Sequence, residues 1–354
     1  MSLLSLSMQF SEDEILFIKL CKGIVQICDR INRGEPAYLV DDSQPFPQTL
    51  YEAFQALSLK WILRDEQMRH PAILCMVEAA RKSVEAVEPD FFEFVDFPEE
   101  PLIENMTHPS EECEAWASRY ALNLEREQNQ SYIPRLMVEI ERLSLPHSTY
   151  TLFRRFLAEN PFPSDLTIAL FRSNNPDIEP VLDLLMQAYR DAPPHSELMP
   201  LCKTCGGYLD CAARDIEGCC EPLEGRVDRA PIEDTVICVI RPSLIELRLA
   251  RTLEKMGLQI ELWPELDKAD LKVTLPTGDI WAIDAKDWGS ATMLARELNQ
   301  DTIPNIGQSQ SFFVVPDYRW KNLAYQAAFK SRYQGNLPVF SESELIKRIK
   351  GVLK

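Results

Sequence analysis

Two carboxylates and an ammonium group crowd one short stretch of this 354-residue chain. Between Ala269 and Trp288 it reads ADLKVTLPTGDIWAIDAKDW. Asp284 and Lys286 stand two residues apart, so on a strand they project from the same face. Pro276-Thr277-Gly278-Asp279 has turn chemistry: Pro restricts φ, and Gly accepts positive φ. A hairpin of Leu271 to Leu275 and Ile280 to Ile283 then brings Asp270 beside Asp284 and Lys286. Gathering like charges is unfavourable unless a cation joins them. Oxygen donors of this kind suit a hard divalent metal. A second Asp-x-Lys, Asp270-Leu271-Lys272, competes with Asp284-Ala285-Lys286. The latter is preferred because it closes the more apolar strand and leaves Asp270 upstream as a partner.

The flanking pattern supplies elements to hold this hairpin. Pro242 to Met256 reads as a helix closed by Gly257, and Leu258 to Trp263 as a strand. After the hairpin come a helix (Ala291 to Leu298), an apolar strand (Ser311 to Pro316) and a helix (Trp320 to Tyr333). A short strand (Pro338 to Phe340) and a terminal helix (Ser343 to Leu353) complete the chain. Upstream the period is helical throughout. Helices are expected over 10–33, 49–64, 72–87, 110–128, 133–143 and 149–159, then from 164 to about 171 and over 176–190. Ser11 with Glu14 predicts a capping box for the first, and Gly34 lies past its end. The stretch 89–109 reads as a loop. The expected fold class is a multidomain α + α/β chain. It comprises an all-helical region (1–195), a small Cys-rich module with linker (196–231) and an α/β domain (232–354).

Of ten cysteines, five fall between Cys202 and Cys220. Cys202-Lys203-Thr204-Cys205-Gly206-Gly207 is a zinc-knuckle pattern, in which glycines let backbone amides turn toward sulfur. Cys202, Cys205, Cys211 and Cys219 are the expected ligands of a structural Zn²⁺, with Cys220 as a substitute for Cys219. An iron–sulfur cluster or uncoordinated thiols are the alternatives. Cys21, Cys28, Cys75, Cys113 and Cys238 sit among apolar residues and read as core thiols.

The formal net charge is −18, and it is unevenly spread. Basic and acidic residues balance between 232 and 354, so the excess belongs to 1–231. An acidic surface is a poor footprint for autonomous nucleic-acid binding and suits protein partners. No apolar run is long enough to span a membrane. The start lacks a basic segment and cleavage site, so a cytoplasmic protein is expected.

The order of elements, with these acids in these places, resembles the PD-(D/E)XK superfamily of nucleases over roughly residues 240–340. The resemblance implies that Asp270 and Asp284 bind Mg²⁺ or Mn²⁺, that Lys286 positions or polarises the attacking water, and that Glu246, on the preceding helix, joins the site. The Pro that precedes the first acid in that family is replaced by Ala269. Within the superfamily, the run Glu261-Leu262-Trp263-Pro264-Glu265-x-Asp267, with Asp284-x-Lys286-Asp287-Trp288, is similar to the nuclease partner of prokaryotic pPIWI-RE defence systems. The implied function is metal-dependent endonucleolytic hydrolysis of nucleic acid, DNA ahead of RNA, in an anti-phage or anti-plasmid complex. The acidic helical region would dock the other proteins of that complex. The alternative is a non-catalytic scaffold that keeps a nuclease-like domain for assembly.

Overall fold

The computed structural model describes residues 10–32, 34–38, 45–64, 69–95, 97–104, 108–110, 112–119, 132–192, 201–206, 221–223, 227–232 and 235–353. Contacts divide the chain into two compact units. One holds 1–128 with 288–300 and 324–334; the other holds 129–287 with 301–323 and 335–354.

In the first unit, the helix Glu12–Asn32 buries Phe17, Leu20, Cys21, Ile24 and Cys28 on one face. The expected capping box is present: Ser11 N–H donates to Glu14 Oε2 at 2.7 Å, and Glu14 N–H to Ser11 Oγ at 3.2 Å. Gln48–Leu63 packs against this helix, and Gly23 allows the approach. A Cβ there would come within 2.7 Å of Leu50. The expected helix 72–87 divides into Ile73–Ala80 and Val84–Val87, because the Ser83 hydroxyl caps a new start by accepting from Ala86 N–H. The stretch read as a loop contains a two-residue ladder, Ile103–Glu104 with His108–Pro109, too short to show alternation. Met293, Trp288 and the aromatic cluster Phe17, Phe92, Phe94 and Trp116 share this unit's core.

The second unit is built on a five-stranded sheet ordered Gln259–Leu262, Leu271–Thr274, Ile280–Ala285, Gln310–Val315 and Val339–Ser341. The first three strands are antiparallel and the last three parallel. The lead helix Arg241–Lys255 and the terminal helix Glu342–Val352 contribute Ile245, Leu249, Leu253, Leu345 and Ile349 to one apolar core with Leu271, Trp281, Ile283 and Phe312. The lead helix ends at Gly257, at φ 81°, with Gly257 N–H donating to Glu254 O and Leu258 N–H to Leu253 O. That is a Schellman closure. The hairpin turns through Pro276 and Thr277 to Gly278 at φ 89°, a type of three-residue loop that needs a left-handed residue in its last position.

The middle helices, Tyr132–Arg142, Ser148–Glu159 and Leu182–Gln187, form a second core in this unit with Leu247, Trp263 and Leu266. The expected helix 176–190 is instead a 3₁₀ turn (Pro176–Val181), a short α-helix and a strand, Tyr189–Asp191, paired with Arg229–Pro231. Pro180 inside the run breaks the regular ladder. Among the described residues the upstream region is therefore helical with two short ladders, rather than wholly α.

Candidate functional site

Three antiparallel strands place the acids. Asp270 N–H donates to Ile283 O at 3.1 Å, and Leu271 pairs with Ile283. This register sets Asp270 opposite the end of the third strand. Its Oδ2 accepts the Ala285 N–H at 2.6 Å. Ile283 and Ala285 face the apolar core. By strand alternation Asp284 and Lys286 face the other way. Their side chains meet, with Lys286 Nζ 2.8 Å from Asp284 Oδ1. Lys286 N–H closes on Val314 O of the parallel neighbour at 2.7 Å.

The competing lysine goes elsewhere. Lys272 pairs with Glu261 across the first two strands at 3.2 Å. Asp301, which the sequence reading did not single out, lies 3.7 Å from Lys286 Nζ. Burial opposes the charge on Lys286, but Asp284, Asp270 and Asp301 outweigh it and hold the ammonium above its ordinary value. Asp270 responds in the opposite sense. Burial pushes its carboxyl well above the usual range, and Glu246 and Asp284 add to the push while Lys286 and Arg154 oppose it.

Glu246 lies on the buried face of the lead helix, 1% exposed. Both of its oxygens are engaged. Arg154 Nη2 donates to Oε1 at 2.8 Å and to Oε2 at 3.0 Å, and Trp263 Nε1 donates to Oε2 at 2.5 Å. Burial raises the Glu246 carboxyl, and Arg154 and Trp263 recover only part of that shift. Arg154 also pairs with Asp267, and its guanidinium lies 4.7 Å from the Trp263 ring centre. Sequence reasoning missed Arg154, although a signal existed. It falls between Tyr150, Phe153 and Leu157 on the apolar stripe of its helix, where an arginine needs buried partners.

The fit of a divalent ion can be judged from these donors. Among the described residues, no three His, Cys, Asp or Glu side chains are gathered to hold a metal. Asp270 and Asp284 are close enough for the charge of one to raise the proton affinity of the other. Mg²⁺ keeps several waters and is commonly held through one or two carboxylates. The pair therefore fits Mg²⁺ or Mn²⁺ better than a closed protein cage.

Trp281, Trp288 and Arg319 are each engaged by other side chains. Trp281 is core, edge-on to Phe312 at 5.0 Å. Trp288 packs in the helical unit with the Arg119 guanidinium 3.7 Å over its ring. Arg319 is 10% exposed and pairs with Asp287 at 2.7 Å, while Tyr318 Oη donates to the same carboxylate at 2.5 Å.

Of the cysteine cluster, Cys202 and Cys205 are described and both are fully buried. Thr204 N–H points at Cys202 Sγ at 3.4 Å, Gly206 N–H donates to Cys202 O at 2.9 Å, and Gly206 adopts φ 71°. Cys202 to Gly206 is thus a tight turn, with the Thr204 amide rather than a glycine amide directed at sulfur. Cys211, Cys219 and Cys220 lie outside the described residues.

Among the described residues, no helix is long and apolar enough to cross a membrane. No curated protein and no solved structure matches the chain. Residues 243–354, the segment that carries Glu246, Asp270, Asp284 and Lys286, match the family model described as REase associating with pPIWI_RE, which supports the resemblance to restriction-endonuclease-like partners of pPIWI-RE systems.

Proposed function

We propose that this protein is a metal-dependent nuclease that cuts DNA beside a pPIWI-RE protein in a defence complex. The observation that carries the reading is the meeting of Asp270, Asp284 and Lys286 at the end of one hairpin, while Lys272 of the competing motif pairs with Glu261. Asp270 and Asp284 would hold the ion, which supplies charge stabilisation at the phosphoryl oxygens and an activated water. The Ala285 N–H fixes the Asp270 carboxylate. Lys286, kept as an ammonium by its acids, donates hydrogen bonds and positive charge at the scissile phosphate. A base at this position would need a depressed pKa, and its surroundings do the reverse.

Binding through the acidic helical region to other proteins of the complex fits the balance of charge, because all the excess lies upstream of residue 232. The buried Cys202–Cys205 turn supports a structural zinc site in the linker, completed by Cys211 and Cys219. Metal analysis of the purified chain tests it. About one equivalent of zinc is expected, lost in Cys202→Ser.

One observation favours the scaffold reading: Glu246, the third acid of the resemblance, has both oxygens occupied. The deciding experiment offers supercoiled plasmid, single-stranded DNA and RNA to the chain with its pPIWI-RE partner, in Mg²⁺ or Mn²⁺. Cutting of DNA supports the nuclease reading. Intact substrates in every arm, with defence retained in a cell carrying Asp284→Ala, would establish the scaffold.

A further inference from the structure

The segment between the first two strands of the sheet is left-handed. Trp263, Glu265, Leu266 and Asp267 have φ of 49°, 50°, 58° and 69°, and none is glycine. Such a run is unfavourable for L-residues and persists only where its surroundings over-determine it. Two kinds of contact do so here. Trp263 and Leu266 are buried in the core of the middle helices. Arg154, 6% exposed on the helix Ser148–Glu159, grips the end of the turn through Asp267, whose other oxygen accepts from Tyr150 Oη at 2.9 Å.

The same guanidinium grips Glu246 on the lead helix, and Trp263 of the turn donates to Glu246 as well. One buried cation thus ties three elements together. They are the middle helix, the lead helix and the turn. Three residues beyond Asp267 the chain reaches Asp270, and Trp263 N–H donates to the Asp270 carbonyl at 2.8 Å. The turn therefore joins the strand register in setting where Asp270 stands.

We propose that Arg154 is a positioning residue for the Asp270–Asp284 pair, and that Glu246 serves as the anchor of this clamp instead of as a metal ligand. The inference rests on the nuclease reading, because it takes the carboxylate pair to be the ion site. Arg154 touches neither substrate nor ion. It acts by holding the left-handed turn that presents Asp270. Residues hydrogen-bonded to a metal ligand typically change affinity by about 10- to 100-fold, and Arg154 reaches Asp270 through the turn rather than by such a bond.

The test is Mn²⁺ binding to the full chain, followed by the paramagnetic signal of the free ion at 25 °C, beside circular dichroism and a melting curve. Arg154→Met is expected to weaken Mn²⁺ binding by about 10-fold or more while the folded spectrum persists at that temperature. Arg154→Lys keeps the charge but loses the fork, and is expected to fall between Met and wild type. Asp267→Asn takes the charge out of the link to the turn without touching Glu246, and is expected to weaken binding several-fold. If Arg154→Met does not fold, the lysine and Asp267→Asn variants read the same quantity. Wild-type affinity in the folded variants, with only a lowered melting temperature, would reduce Arg154 to a packing residue and overturn the proposal. Absence of Mn²⁺ binding in the wild type would instead overturn the nuclease reading on which it rests.

Discussion

At the scale of single residues, Asp284 and Lys286 have different expected roles and so different expected losses. Lys286→Ala removes a charge from the phosphate but no donor to the ion. Nicking is expected to fall by about 10²- to 10³-fold, with Mn²⁺ binding retained. Asp284→Ala is expected to lose both. Kinetics and Mn²⁺ titration on the two variants separate these outcomes, and equal losses of Mn²⁺ binding would contradict the division. A second prediction concerns the helical unit. Burial raises the Cys28 thiol to about 12, with Cys113 and Asp29 adding to the push. The folded state therefore holds its proton more tightly than the unfolded chain does. The stabilisation is complete below the unfolded thiol's pKa and is lost as pH rises through about 12. Cys75 and Cys238, expected in the core, are exposed, whereas Cys28 is buried, so at pH 8 iodoacetamide should label Cys75 and leave Cys28 untouched until denaturant is added. Early labelling of Cys28 would show that this core opens.

At the scale of elements, the hairpin and its flanks were legible because their signals are local. Pro276 and Gly278 mark the turn, apolar alternation marks Leu271–Thr274, a β-branched and aromatic run marks Ile280–Ala285, and Gly257 closes the lead helix. The partners of Glu246 were not legible. Arg248, Arg251 and Lys255 mark the outer side of its helix and leave Glu246 on the opposite, buried side, but nothing local names Arg154 and Trp263 as the groups that satisfy it there. The left-handed turn was hidden for another reason. Trp263-Pro264-Glu265-Leu266-Asp267 contains no glycine, and only tertiary contacts impose its backbone. Two substitutions probe these points in opposite directions. Gly257→Ala meets no atom within 4 Å but must adopt φ 81°. It is expected to cost about 1 kcal/mol. Glu265→Gly relieves φ 50° at a partly exposed site. It is expected to stabilise by about 0.5–1 kcal/mol, net of the extra freedom of glycine in the unfolded chain. Thermal or urea melts check both, and destabilisation by Glu265→Gly would mean that the turn carries no strain.

At the scale of the whole molecule, a carboxylate site sits in a nearly neutral C-terminal third that follows a strongly acidic remainder of the chain. Such a balance gives weak attraction for a polyanion, so the proposed nuclease depends on a partner to bring nucleic acid to Asp270 and Asp284. Cutting by the isolated chain is expected to be slow and to fall further with salt. Addition of the pPIWI-RE protein is expected to raise the rate. The most direct test of the central claim is the nicking of supercoiled plasmid by wild type and Asp284→Ala, each with the partner present, in Mg²⁺ with and without EDTA. The account predicts nicking by the wild type alone, abolished by EDTA, while the variant keeps its fold and its partner. Nicking by Asp284→Ala at the wild-type rate, or nicking that survives EDTA, would contradict it.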